Sequence, residues 1–177
     1  MCLFRPTYYS KSIYDVPLSF FEENNIKIIF SDLDNTLDAF FEKEPTERAL
    51  KLVEDLKSVG VTLIITSNNH GDRVKNYAKK LGVECHYSSK KPLGYKLRRF
   101  IKNKNLNKKE ILMVGDQILT DVISSKLTGV RVLLVEPVVN KDLVITKFNR
   151  FIDKIIRWFQ HKFKILKKRE VTNNGKK

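Results

Sequence analysis

The sequence predicts an α/β fold: a three-layer, Rossmann-like parallel sheet with helices on both faces. Three observations predict it. Short apolar runs rich in Ile and Val recur along the chain. Stretches with helical spacing separate them. The runs are apolar throughout rather than alternating, as strands covered on both faces are. At 177 residues, 42% of them hydrophobic, the chain suffices for one domain with its own core, and it shows no internal repeat.

The elements follow in order. After an irregular start, Pro17 opens a short helix carrying Phe20, Phe21 and Glu22. Residues 26–30 read as a buried strand. Pro45 opens a helix with Leu52, Val53, Leu56 and Val59 on one face and Gly60 as its stop. Residues 61–65 are the second strand. Val74, Tyr77, Ala78 and Leu81 predict a helix over 70–81, ended by Gly82. A short strand at 83–86 leads into S-S-K-K-P, and a Lys/Arg-rich helix covers about 93–102. Residues 111–114 form a strand ending in Gly115-Asp116. A short helix then runs to about Leu127, Gly129 closes it, and 130–135 is the last strand.

This layout gives the polar residues their meaning. Residues 28–37 read I-I-F-S-D-L-D-N-T-L, so two carboxylates, Asp32 and Asp34, stand at the tip of a buried strand. Like charges that close need a cation or a proton between them. Ser67 and Asp116 lie just beyond two other strands, at the carboxyl-end rim where open α/β sheets bind ligands. Asp32, Asp34 and Asp116 together make an oxygen-rich pocket suited to Mg²⁺, which takes carboxylates, waters and a substrate phosphate.

D-L-D-N-T at 32–36, S-N-N at 67–69, K-P at 91–92 and G-D-Q-I-L-T-D at 115–121 resemble the motifs of the haloacid dehalogenase superfamily, in its phosphatase branch. The resemblance implies the following roles. Asp32 is the nucleophile that becomes an aspartyl phosphate and also touches the metal. Asp34 protonates the leaving oxygen and later activates water; its main-chain carbonyl ligates the metal. Ser67 and Asn68 bind the phosphoryl oxygens. Lys91 pairs with the nucleophile and the phosphoryl group. Asp116 completes the metal site, with Thr36 and Asp121 in support or, for Asp121, as a further ligand. Plainer readings stand beside these. Asp34-Asn35-Thr36 also suits a turn and N-cap, Ser67–Asn69 a helix cap, Lys90 competes with Lys91, and Asp121 suits a helix's first turn.

Superfamily members commonly select substrates with an inserted cap domain. Here 34–61 and 67–91 leave no room for one, so the expected site is open and favours a phosphate on something large. At least one of Phe40 and Phe41 is expected in the core, the other being a candidate for the rim.

The formal net charge is +14 and the pI about 9.8. Residues 141–177 hold twelve Lys/Arg against three Asp/Glu, so +9 of the +14 lies there. Such charge points to a polyanionic partner. Phe148, Ile152, Ile155, Phe159, Phe163 and Leu166 recur three and four apart, while Arg150, Lys154, Arg157, Lys164, Lys167 and Lys168 fall largely elsewhere on the wheel. The expectation is a basic amphipathic helix over 141–170, after a catalytic domain over 1–140 and before a disordered 171–177. Trp158, Phe159, Phe163, Lys164, Lys167 and Lys168 are its membrane-binding candidates on an anionic phospholipid surface. Packing of the helix on the sheet is the competing expectation, and a docked start with a lipid-facing end combines the two.

No apolar run reaches the roughly 20 residues that span a bilayer, and the first ten residues lack a signal-peptide core. A cytoplasmic protein, peripherally bound to the inner membrane face, is expected. Cys2 and Cys85 form neither a metal spacing nor a disulfide framework.

Beyond the four motifs, P-T-Y-Y-S-K-S-I-Y-D-V at 6–16, K-K-P-L-G at 90–94 and T-K-F-N-R at 146–150 resemble the YqeG family of subfamily IIIA phosphatases, itself similar to the phosphatidylglycerophosphate phosphatases of mitochondria and plastids. The resemblance implies phosphatidylglycerophosphate as substrate and Mg as cofactor. One departure is that D-A-F-F-E-K-E at 38–44 lacks the Trp that family carries there. A phosphatase for nucleic-acid ends and a non-catalytic membrane scaffold are the rival expectations.

Overall fold

A computed structural model describes residues 3–69, 72–87, 89–139, 155–158 and 169–171. Among them, six parallel strands form one sheet in the order β1-β6-β5-β2-β3-β4. The strands are β1 (Tyr8–Ser10), β2 (Ile28–Ser31), β3 (Thr62–Thr66), β4 (Glu84–His86), β5 (Ile111–Gly115) and β6 (Arg131–Val135). The helices are α1 (Leu18–Glu23), α2 (Glu47–Ser58), α3 (Asp72–Leu81), α4 (Tyr95–Asn103) and α5 (Ile123–Thr128), with a π-helical turn at Ile118–Val122.

Alternate residues of each strand serve opposite faces. Ile29, Leu63, Ile65, Leu112, Val114, Leu133 and Val135 pack with α1, α2 and α3 in one core. Phe30, Ile64, Ile111, Met113, Val132 and Leu134 pack with Leu97 and Ile101 of α4 and Ile118 and Val122 of the π turn in the other. Both faces are covered, which is why the strands read as unbroken apolar runs.

The three-layer architecture is the expected one, with two corrections at its periphery. The start of the chain is not irregular: β1 pairs with the edge of β6, anchored where Thr7 donates its N–H to the Val132 carbonyl at 3.0 Å and accepts from the Val132 N–H on its hydroxyl at 3.2 Å. Three residues are too few to show a strand period. The helix expected over 141–170 has ended by its last residue. Glu170 bridges Tyr9 beside β1, and Arg169 donates to the carbonyls of Pro6 and Thr7 at 2.9 and 3.0 Å. Within it, 155–158 form a helical turn. Cys2, His70, Phe148, Ile152, Phe159, His161, Phe163, Lys164, Lys167, Lys168 and the tail 172–177 lie outside the described residues.

Neither Phe40 nor Phe41 is core. They meet edge-to-face at 5.3 Å, and Phe41 is 56% exposed. Asp38 and Ala39 are the buried residues of 38–44, and Asp38 is the charged one. Its carboxylate accepts from the Tyr77 hydroxyl at 2.5 Å, the Thr46 hydroxyl at 2.7 Å and the Thr46 N–H at 3.0 Å, with Arg48 at 3.4 Å. A buried carboxylate needs that many donors. It also places negative charge at the N-terminus of α2, where the helix dipole favours it. The loop leading away from Asp32 and Asp34 is thereby tied to α2 and α3.

Candidate active site

Parallel order alone brings the tips together. β2 lies between β3 and β5, so Asp32, Ser67 and Asp116, each one residue past its strand, share one rim. Carboxylate oxygens of Asp32, Asp116 and Asp121 lie within 4.8 Å of one another.

Lys91 occupies the centre. Its Nζ donates to Asp32 Oδ1 at 2.7 Å, to Asp121 Oδ1 at 2.7 Å and to the Thr66 carbonyl at 3.0 Å. All three ammonium protons are used, with the lysine side chain 2% exposed. Lys90, its rival in the sequence, has a positive φ of 50° and is exposed. Asn68 fixes the Lys91 backbone from both sides: Lys91 N–H donates to Asn68 Oδ1 at 2.7 Å, and Asn68 Nδ2 donates to the Lys91 carbonyl at 3.0 Å. A phosphate contact at Asn68, expected from the sequence, would fall to its main-chain N–H, because both ends of its side chain are engaged. Its amide clamps the lysine loop.

Burial pushes the Asp32 carboxyl up to about 8; Lys91 opposes this, while Asp121, Asp116 and Asp34 add to it. The two acids hold the Lys91 ammonium above its usual range against the cost of burial. Asp32 keeps 14% of its side chain exposed while Lys91 and Asp121 are shut in. The accessible carboxylate of the trio is the one expected to attack.

Asp121 reaches Lys91 from within the π turn of Ile118–Val122. Such turns are rare and recur at functional sites. Its other oxygen accepts from the Gln117 N–H at 3.2 Å and the Thr120 hydroxyl at 3.3 Å. Gly115 makes the approach possible, since a Cβ there would collide with the Asp121 carboxyl group. The glycine and the second aspartate of G-D-Q-I-L-T-D are thus one packing unit. Thr36 lies in the same layer, its hydroxyl 3.4 Å from Asp116 Oδ1.

Asp34 is turned the other way. Asn35, with a φ of 66°, bends the chain after it. The Asp34 carboxylate accepts from Arg73 at 2.7 Å and from Asn69 Nδ2 at 2.6 Å, so it stands apart from the three clustered acids. This leaves its main-chain carbonyl as the group the sequence reading assigned to a metal. Ser67 is buried and its hydroxyl accepts the Asn69 N–H at 3.1 Å, a local turn ahead of α3, which begins at Asp72.

Two participants escaped the sequence reading. Arg73 was unmarked among the charges of α3. Arg157 was placed on the solvated face of a helix. Arg157 instead points inward: it donates to the Asp116 carbonyl at 2.5 Å, the Val135 carbonyl at 3.0 Å and Glu136 Oε1 at 3.0 Å. Its partners follow from tertiary packing and leave no trace in helical periodicity. In the same turn Ile156 packs on the second core, while Ile155 and Trp158 are 44% and 56% exposed.

The donor set suits a hard divalent cation. Three carboxylates converge within 4.8 Å, and the lysine among them neutralises only part of their charge.

An aspartate with an accessible oxygen, a buried lysine beside it and clustered acids at the rim of a parallel α/β sheet define a phosphatase of the haloacid dehalogenase superfamily. The chain belongs to the mitochondrial PGP phosphatase family, whose model matches residues 2–139. It is 36% identical over 153 residues to the probable phosphatase YqeG of Bacillus subtilis, covering 86% of this chain and 89% of that one. Two solved structures share the fold. A hypothetical protein of Xanthomonas campestris matches with a TM-score of 0.53 and 15% identity over 68% of this chain and 71% of its own. The 3-deoxy-D-manno-octulosonate 8-phosphate phosphatase of Yersinia pestis matches with a TM-score of 0.52 and 11% identity over 70% and 77%.

Proposed function

We propose that the chain is a Mg²⁺-dependent phosphomonoesterase that converts phosphatidylglycerophosphate to phosphatidylglycerol at an anionic membrane surface. The observation that carries the chemistry is the partly accessible Asp32 carboxylate held 2.7 Å from the buried Lys91 ammonium. The matched family supplies the substrate.

Asp32 attacks phosphorus, a P–O bond to the carboxylate forms, and the P–O bond to the leaving alcohol breaks. Asp34 gives the departing oxygen its proton, once its carboxylate exchanges Arg73 and Asn69 for that oxygen. Water then attacks the acyl phosphate, Asp34 takes its proton, and the Asp32 carboxylate and inorganic phosphate separate. Lys91 stays fixed by Asp121 and Thr66 and lies against the negative charge that builds on the phosphoryl oxygens. The Ser67 hydroxyl, which accepts the Asn69 N–H, would donate its own proton to the same oxygens. A Mg²⁺ held by Asp32, Asp116 and the Asp34 carbonyl, with Asp121 beside them, would supply further charge neutralisation.

Membrane contact rests on the exposed Trp158 and Ile155 and on the basic sequence around them. Among the described residues no helix is long and apolar enough to cross a bilayer.

The test is phosphate release from vesicles containing phosphatidylglycerophosphate, with and without Mg²⁺, for the wild type and Asp32→Asn. Release that needs both Mg²⁺ and Asp32 is expected. Untouched lipid alongside hydrolysis of soluble sugar phosphates would overturn the substrate.

A further inference from the structure

We propose that the basic groove between the loop after β2 and helix α3 is a subsite for a second anion, the phosphodiester carried by the leaving alcohol of the substrate lipid. The inference rests on the reading above that Asp34 serves the leaving oxygen.

The groove has a volume of about 650 Å³ and is lined by Lys43, Glu44, Arg73, Asn76, Lys79 and Lys80. Four cations face one acid. Glu44 is already paired with Lys80. Lys43 and Lys79 are exposed and make no ion pair among the described residues. A positive concavity of this kind draws in anions and focuses their approach.

Arg73 joins the groove to the reacting groups. One of its nitrogens donates both to Asp34 Oδ1 at 2.7 Å and to the Glu42 carbonyl at 3.1 Å, and its side chain remains 32% exposed. A leaving oxygen within proton-transfer reach of Asp34 lies about 3 Å from that carboxylate. The atoms beyond this oxygen then pass over Arg73 toward Lys43 and Lys79. In phosphatidylglycerophosphate the glycerol ends on a phosphodiester, so its charge arrives where the groove is positive. A guanidinium fork matches two phosphate oxygens at once, and the flexible lysines add point charges. A leaving alcohol without an anion gains none of this. The groove therefore selects between monoesters by what hangs on the far side of the scissile bond.

The test compares kcat/KM of the full chain for two soluble probes: dihexanoyl phosphatidylglycerophosphate below its micelle concentration, and glycerol 3-phosphate, whose leaving group is uncharged. The wild type should prefer the first. That preference ratio should fall by about 10-fold in Lys43→Gln/Lys79→Gln, fall further in Arg73→Gln, and recover in part in Arg73→Lys. Both lysines are exposed, so the double variant should melt as the wild type does.

A wild-type preference that survives intact in the double variant and in Arg73→Gln would overturn the subsite and leave the lipid reading standing. No wild-type preference would remove both. A third probe, a 5′-phosphorylated dinucleotide, carries its diester on a nucleoside. If the variants lose that substrate while keeping the lipid, the groove serves nucleic acid and the inference is overturned.

Discussion

The guanidinium of Arg157 lies 2.5 Å from the main-chain oxygen of Asp116. A residue from the basic C-terminal region thus orients the peptide that carries one of the clustered acids. Glu136 steadies the arrangement by accepting both from Arg157 at 3.0 Å and from the Tyr9 hydroxyl at 2.7 Å. The guanidinium side chain is 13% exposed, so these bonds are largely shielded from water.

Arg157→Ala should lower kcat on a soluble phosphate ester by about 10-fold, because a charge-assisted bond is worth roughly 1.5–3 kcal/mol. Arg157→Lys should recover part of the loss. Steady-state kinetics without vesicles checks this. An Arg157 that only greets lipid headgroups would leave the soluble rate untouched.

Gly115→Ala should displace Asp121 from Lys91, since the added Cβ and the Asp121 carboxyl group would occupy the same space. Overpacking costs typically about 1–3 kcal/mol, so a thermal melt should fall by several degrees and phosphatase activity should collapse with it. A stable, active alanine variant would mean that Asp121 has no fixed place in the site.

The acid cluster makes a signed prediction about pH. Without metal, the folded chain keeps a proton on Asp32 up to about pH 8, chiefly through burial. The unfolded chain releases it near 3.9, roughly. Between those limits the folded state binds more protons, so this group's contribution to stability declines as pH rises. Asp32→Asn removes the titration. In chelator, it should melt above the wild type near pH 9, with the gap closing towards about pH 4, below both titrations. Melting curves across that range decide it; a constant gap would contradict the account.

Tyr77→Phe should destabilise without touching the reacting groups directly. It deletes the 2.5 Å bond to the buried Asp38 carboxylate, which also holds the start of α2 through Thr46. Loss of a bond to a charged group costs roughly 1.5–3 kcal/mol, and each kcal/mol moves Tm by about 2–4 °C in a domain of this size. A differential melt of wild type and variant measures it, with Thr46→Val as a second, smaller step in the same direction.

Much of this is legible in the sequence. The strands at 26–30, 61–65, 111–114 and 130–135 show themselves because burial on both faces demands apolar residues at every position. The helices of 47–58 and 72–81 show themselves because one-sided burial demands a 3.6-residue spacing. Residues 32–36, 67–69, 91–92 and 115–121 carry chemistry that only a phosphoryl site uses together. β1 was invisible because three residues give no period. Asp38 gives no sign of its burial in the sequence, although four donors surround it.

The sequence by itself determined the layers, the rim and the residue types that meet there, because hydrophobic period and strand-tip position are local properties. Which acid faces which cation was decided only by the tertiary structure. Lys91 could pair with any of four aspartates; the π turn and the absent Cβ of Gly115 brought it Asp121, while Asn35 sent Asp34 outward to Arg73. Arg157 met Asp116 across 41 positions of chain because its helical turn packs, through Ile156, on the second core. Ion pairs are short-ranged and directional, so their partners follow from packing, and packing is a property of the folded whole.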